Sequence, residues 1–143
     1  MGKKDGVVSA SASASAVAAQ LAVADGKNCR YAVGVWNLRV MIVKEGPWWI
    51  AQGLEIDYVA QGASLPEVKK CFEEGLRGTI NENLKQFETI ENMLRPAPPS
   101  IFLEFETLAE KALIYSQISL HFHQLPGWFD TTNINYFADA TLM

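Results

Sequence analysis

The sequence predicts a small α+β domain, an antiparallel sheet in the order β-β-β-α-β with one long helix packed on one face. Three observations carry this reading. Leu38, Val40 and Ile42 recur at period two, with Arg39 and Met41 between them, the mark of a strand with one buried face. Gly46-Pro47 separates two runs rich in strand-forming residues, as a tight turn does. From Leu65 to Leu94 the apolar positions advance by three or four residues, which describes one stripe along a helix.

The order of elements follows from the same rules. Tyr31 to Val43 is dense in Val, Tyr, Trp and Ile and reads as the first strand. Trp48 to Gln52 reads as the second, paired antiparallel across the turn. Leu54, Ile56 and Tyr58 then alternate with Glu55, Asp57 and Val59. They form a third strand, or continue the second after a bend at Gly53.

The helix begins at Ser64-Leu65-Pro66-Glu67, a cap followed three residues later by Glu, with Pro in the first turn. Its stripe is Leu65, Val68, Phe72, Leu76, Ile80, Leu84, Phe87, Ile90 and Leu94. Unbroken, it would be about 45 Å long. Pro96, Pro98 and Pro99 end it and form a stiff linker. A shorter helical pattern follows over residues 101–112. Ile118, Leu120 and Phe122 alternate with Ser119, His121 and His123 as a last strand, and Pro126-Gly127 turns the chain. The apolar, amide-rich tail from Trp128 carries no period that assigns it.

Before Tyr31 the composition changes. The alternating Ser and Ala of residues 9–16 are too polar for the core of a secretion signal, although Lys3 and Lys4 precede them and Ala22-Val23-Ala24 resembles a cleavage site. The expectation is a low-complexity extension over residues 1–30, with any helix confined to Val17 to Val23. The domain then spans 31–95, and residues 96–143 pack on it as linker, short helix, last strand and tail.

The 143 residues fit one domain, and 49% hydrophobic content is enough for a core. The net charge of −4 argues against a phosphate-binding surface and suits a basic partner. Cys29 and Cys71 form no CxxC pair, so they define neither a disulfide framework nor a zinc site. Free thiols fit a reducing cytoplasm, and no apolar run is long enough to cross a bilayer. Cofactors expected: none.

The ordered string Trp48-Trp49-Ile50-Ala51-Gln52-Gly53-Leu54-Glu55-Ile56-Asp57-Tyr58-Val59-Ala60-Gln61-Gly62, then Ser64-Leu65-Pro66-Glu67, resembles the HicB-like family. The match covers Leu38 to Leu94, extending at most to Pro99. In that family an aromatic-rich strand leads to an acidic segment, a Gln-Gly turn and a helix with an early Glu. The resemblance implies a partial ribonuclease-H-like fold and an antitoxin that neutralises a small basic HicA-type toxin, or an orphan relative without one. Full-length antitoxins of this kind often end in a DNA-binding tail. Here Lys111 is the only cation after Pro96, against Glu104, Glu106, Glu110, Asp130 and Asp139, so DNA binding is not expected.

Glu55 and Asp57, two apart on a strand, would share one face. Two such acids can begin a divalent-metal site for nuclease chemistry, but no third acid is evidently placed to complete it. The plainer readings are a solvated acidic face or one that steers a basic partner. His121 and His123 form an H-x-H pair without an evident third ligand. Cys71 lacks a base nearby in sequence. Trp48 and Trp49 should point to opposite faces, one into the core and one outward where Trp favours interfaces.

These residues point to a non-enzymatic binding module rather than a catalyst. Trp48, Glu55 and Asp57 are the candidate partner-binding residues, and a divalent-metal nuclease is the alternative. The long stripe and the apolar tail exceed what one small sheet can cover, so a homo-oligomer is expected.

Overall fold

The computed structural model describes residues 18–25, 28–111, 113–120 and 128–139. The chain is α+β. Strand β1 (Ala18–Asp25) leads into the long β2 (Asn28–Glu45), followed by β3 (Trp48–Gly53) and β4 (Val59–Gly62). Helix α1 (Leu65–Phe87), a 3-10 turn (Glu91–Met93) and helix α2 (Pro99–Ala109) come next. Strands β5 (Leu113–Leu120) and β6 (Trp128–Asp139) complete the described order.

The sheet runs β4-β3-β2-β6-β5, with β1 paired to β2. All pairs are antiparallel except β2 with β6, which is parallel. The sheet is therefore mixed, where a purely antiparallel one was expected. The difference comes from the tail. Twelve of its residues form β6 and lie between β2 and β5, and the long connection through α1 and α2 permits a parallel return. The amino-terminal segment also differs from its expectation. It holds a strand over Ala18–Asp25 rather than helix, and β2 passes through position 30 without interruption.

One residue lets β2 serve the core along its length. The register with β6 shifts between Val35 and Leu38, and Asn37 adopts φ 58, the left-handed region that Asn tolerates better than most residues. The extra residue makes a β-bulge. Val35 and Leu38, an odd distance apart, consequently both lie buried in one cluster.

Helix α1 starts as its cap signal requires. The Glu67 N–H donates to Ser64 Oγ at 3.2 Å, and a proline lies in the first turn. Val68, Phe72, Leu76, Ile80 and Leu84 are buried against Leu38, Val40, Ile42, Ala51 and Ile134 on the sheet. Each such side chain contributes about 1.5–3 kcal/mol relative to an exposed one. The helix stops at Phe87, where Glu88 turns left-handed at φ 57 and its N–H caps Leu84 O. It is thus about 34 Å long, shorter than the unbroken stripe. The chain bends back so that Ile90 is buried and Met93 and Leu94 pack on the same cluster.

The other face of the sheet has its own cover. Phe105 and Leu108 of α2 are buried with Met41 and Leu54, and Val43, Leu113 and Phe137 pack around them. The molecule is a three-layer α1/sheet/α2 arrangement. The alternation in β2 had marked one buried face, and α2 buries part of the second.

Candidate functional site

Trp48, Glu55 and Asp57 all lie on or beside the face that carries α2, but they do different things. Trp48 opens β3 after the Gly46-Pro47 turn. Gly46 takes φ 62, and proline holds a negative φ after it, the combination of a type II′ hairpin turn. Cross-strand register sets Glu45 beside Trp48 and Val43 beside Ile50. Alternation then divides the two tryptophans. Trp49 is buried in the α1 core with Lys44 Nζ 5.7 Å from its ring centre, while Trp48 is 44% exposed.

Helix α2 covers Met41 and Leu54 but leaves the β3–β4 corner open. Trp48, half-buried Ile50 and Val59 (49% exposed) share that open face. Exposed Glu45 stands at one end of this apolar strip. Asp57, also exposed, stands at the other, where Gln52 Nε2 donates to its Oδ1 at 3.0 Å.

Glu55 is not part of an open acidic face. Residues 54–56 form a bend and 57–58 an irregular link rather than a strand, so the period-two argument that paired Glu55 with Asp57 does not apply there. Glu55 is buried. It accepts the Arg39 N–H at 2.8 Å and Arg39 Nε at 2.6 Å. The Arg39 guanidinium lies over the rings of Phe102 and Phe105, at 5.7 and 5.4 Å. Glu55 therefore holds the bend to β2 and, through Arg39, to α2.

Backbone bonds reinforce this corner. Leu54 N–H donates to Arg39 O, Ala97 N–H to Leu54 O, and Asp57 N–H to Arg95 O, at 2.9, 2.8 and 2.6 Å. The Pro-rich linker thus lies alongside the bend. Between the bend, α1 and this linker is an open groove of about 270 Å³, with Asp57, Tyr58, Thr79, Asn92 and Arg95 on its walls.

No family model, curated protein or solved structure matches the chain. The resemblance to the HicB-like family therefore stands on the residue string alone. Among the described residues, no three His, Cys, Asp or Glu side chains gather as a metal site. His121 and His123 lie outside the described residues. Cys71 is a half-buried free thiol. No helix among the described residues is long and apolar enough to cross a membrane.

Sequence reasoning missed Arg39, Ile50 and Val59 as members of this corner. Arg39 could have been suspected, since a cation between core residues Leu38 and Val40 needs a partner if its face is covered. The exposure of Ile50 and Val59 depends on where α2 ends on the sheet, and no local pattern encodes that.

Proposed function

We propose that the protein is a non-enzymatic binding module of the HicB type, an orphan or DNA-binding-deficient member that docks a small basic protein. The observation that carries this reading is the open strip of Trp48, Ile50 and Val59, with Glu45 and Asp57 at its ends. An aromatic anchor in an apolar strip supplies affinity, and flanking acids steer a basic partner. The chain's net charge of −4 acts in the same sense.

The connectivity supports the family part of the reading. Strands β2, β3 and β4 form an antiparallel meander, α1 follows, and β6 lies parallel beside β2. That arrangement suits a partial ribonuclease-H-like layer, with β5 as an addition at the edge. Within this reading the protein works in the cytoplasm and does not bind DNA. The nuclease alternative is not favoured, because Glu55 is engaged by Arg39 and, among the described residues, no three His, Cys, Asp or Glu side chains gather around it.

The test is co-purification of the tagged chain from its native host. The expected result is stoichiometric recovery of a small basic protein whose toxicity is relieved by co-expression of this chain. Trp48→Ala should weaken that complex by about ten-fold or more, and Glu45→Lys with Asp57→Lys should slow its formation. A complex unaffected by all three changes would place the interface elsewhere.

A further inference from the structure

We infer that the outer edge of β5 is a self-association surface through which two copies of this chain pair antiparallel about a two-fold axis. The binding reading above concerns the opposite edge of the sheet, at β3 and β4, so the two stand independently.

Strand β5 is outermost in the main strand order, and only its β6 side has a partner among the described residues. Its other side is a row of backbone donors and acceptors that a further strand would satisfy. Proteins ordinarily protect such an edge with a charge, a proline, a bulge or a very short strand. None of these is present within the strand, and a charge that reaches it from outside, Lys69 Nζ of α1, donates to Ser116 Oγ at 3.1 Å. The eight residues Leu113–Leu120 contain no charged residue, proline or glycine, although the chain as a whole has 12 Lys and Arg and 16 Asp and Glu. The register with β6 runs through all eight positions without a shift. The opposite sheet edge differs, since β4 has only four residues.

The side chains on β5 are also left incompletely covered. Ile114 is 39% exposed and Tyr115 55%. They lie on opposite faces of the strand, so no single helix could cover both. Ile118 and Leu120 pack on the α1 core and are partly buried.

Symmetry selects a second copy as the occupant. A two-fold axis normal to the sheet keeps every side chain on its own face, so one residue must sit opposite itself. The two registers of greatest overlap centre on Ser116 and on Gln117. The first sets Ile114 opposite Ile118 of the other copy, and the second sets it opposite Leu120. Either way the exposed isoleucine meets an apolar side chain. A two-fold also brings each charge near its own image; this strand has none of its own, and Lys69 Nζ at Ser116 Oγ (3.1 Å) disfavours the register centred on Ser116 relative to the one centred on Gln117. The strand is therefore self-complementary in its apolar pattern and carries no charge of its own to repel its image.

The test is the solution mass of the full chain by light scattering across the micromolar range. The wild type is expected at twice its 15.8 kDa chain mass. Gln117 is exposed, and in both registers its side chain lies opposite or diagonal to its image. Q117K alone and Q117E alone should each run as monomers with unchanged circular dichroism. An equimolar mixture of the two should regain the dimer mass, a result that misfolding could not produce. Should either variant fail to fold, Q117R and Q117D give the same comparison at the same position. A monomeric wild type, or a dimer that Q117K and Q117R leave intact, overturns the inference.

Discussion

Glu55 accepts two hydrogen bonds from Arg39, one from its backbone N–H at 2.8 Å and one from its side-chain Nε at 2.6 Å. The pair ties the 54–56 bend to β2 while the guanidinium stacks on Phe102 and Phe105 of α2. Glu55→Ala removes both acceptors from a buried position and should cost about 2 kcal/mol. Glu55→Gln keeps a neutral acceptor for the amide and should cost about 1 kcal/mol. Urea denaturation monitored by Trp fluorescence reads both as a lower midpoint at unchanged slope. An Ala variant as stable as the wild type would assign the pair no structural weight.

Two glycines in α1 should respond to alanine in opposite directions. A Cβ at Gly75 would overlap the Tyr58 hydroxyl, whereas a Cβ at Gly78 would meet nothing within 4 Å. Gly78→Ala should therefore raise stability by about 1 kcal/mol through helix propensity alone. Gly75→Ala should lower it, because Tyr58 packs edge-on against buried Phe72 at 5.2 Å and must move to admit the methyl. If both variants stabilise equally, the close approach of Tyr58 to α1 is not as described.

The bulge in β2 makes a prediction at Asn37. Its φ of 58 costs an ordinary side chain about 1–2 kcal/mol and glycine nothing comparable. Asn37→Ala should destabilise by about 1 kcal/mol, and Asn37→Gly should match or exceed the wild type. Thermal unfolding of the two variants side by side tests this, and an Ala variant at least as stable as the Gly variant would contradict it.

Tyr136 sets a limit at alkaline pH. Burial and the hydrogen bond from its hydroxyl to Glu73 Oε2, at 2.7 Å, raise its pKa well above the ordinary 10.0. The folded state holds this proton more tightly than the unfolded state does. The resulting stability is complete below pH 10 and declines as pH rises above the unfolded value. Wild-type stability should fall more steeply above pH 10 than that of Tyr136→Phe. Burial raises the Tyr58 pKa as well, so some alkaline dependence should persist in the variant. Parallel curves for the two proteins would show that Tyr136 ionises as freely in the folded state as in the unfolded one.

Much of the α1 side was legible in the sequence. The period of Leu38, Val40 and Ile42, the Gly46-Pro47 turn, the Ser64 cap and the stripe from Val68 to Leu84 are local signals. Each depends on neighbours within one turn of helix or one strand, so each survives translation into structure. The split between buried Trp49 and exposed Trp48 follows from strand alternation in the same way. The pairing of Glu55 with Asp57 failed because it assumed a regular strand where Gly53 begins a bend. The oligomer expectation loses its original basis. Leu84 and Ile90 are buried within the chain, and the apolar tail supplies a strand of its own sheet.

By itself, then, the sequence determined the β2–β3 hairpin followed by α1, the helix start and the core-facing positions of Leu38, Val40, Ile42 and α1, whereas the third strand expected from Leu54 starts as a bend and β4 begins only at Val59. Only the tertiary structure decided that the tail is β6, lying parallel to β2 in the interior of the sheet. Its Asn133 and Asn135 mask a core strand in the sequence because their polar groups suggest solvent. In the fold, Asn135 is buried and accepts the Tyr115 hydroxyl at 2.7 Å, and Asn133 donates to Ser119 at 3.0 Å. Which strands become neighbours, and therefore which polar groups can be satisfied inside, is set by contacts between residues far apart in the chain. No periodicity within a single segment can encode them.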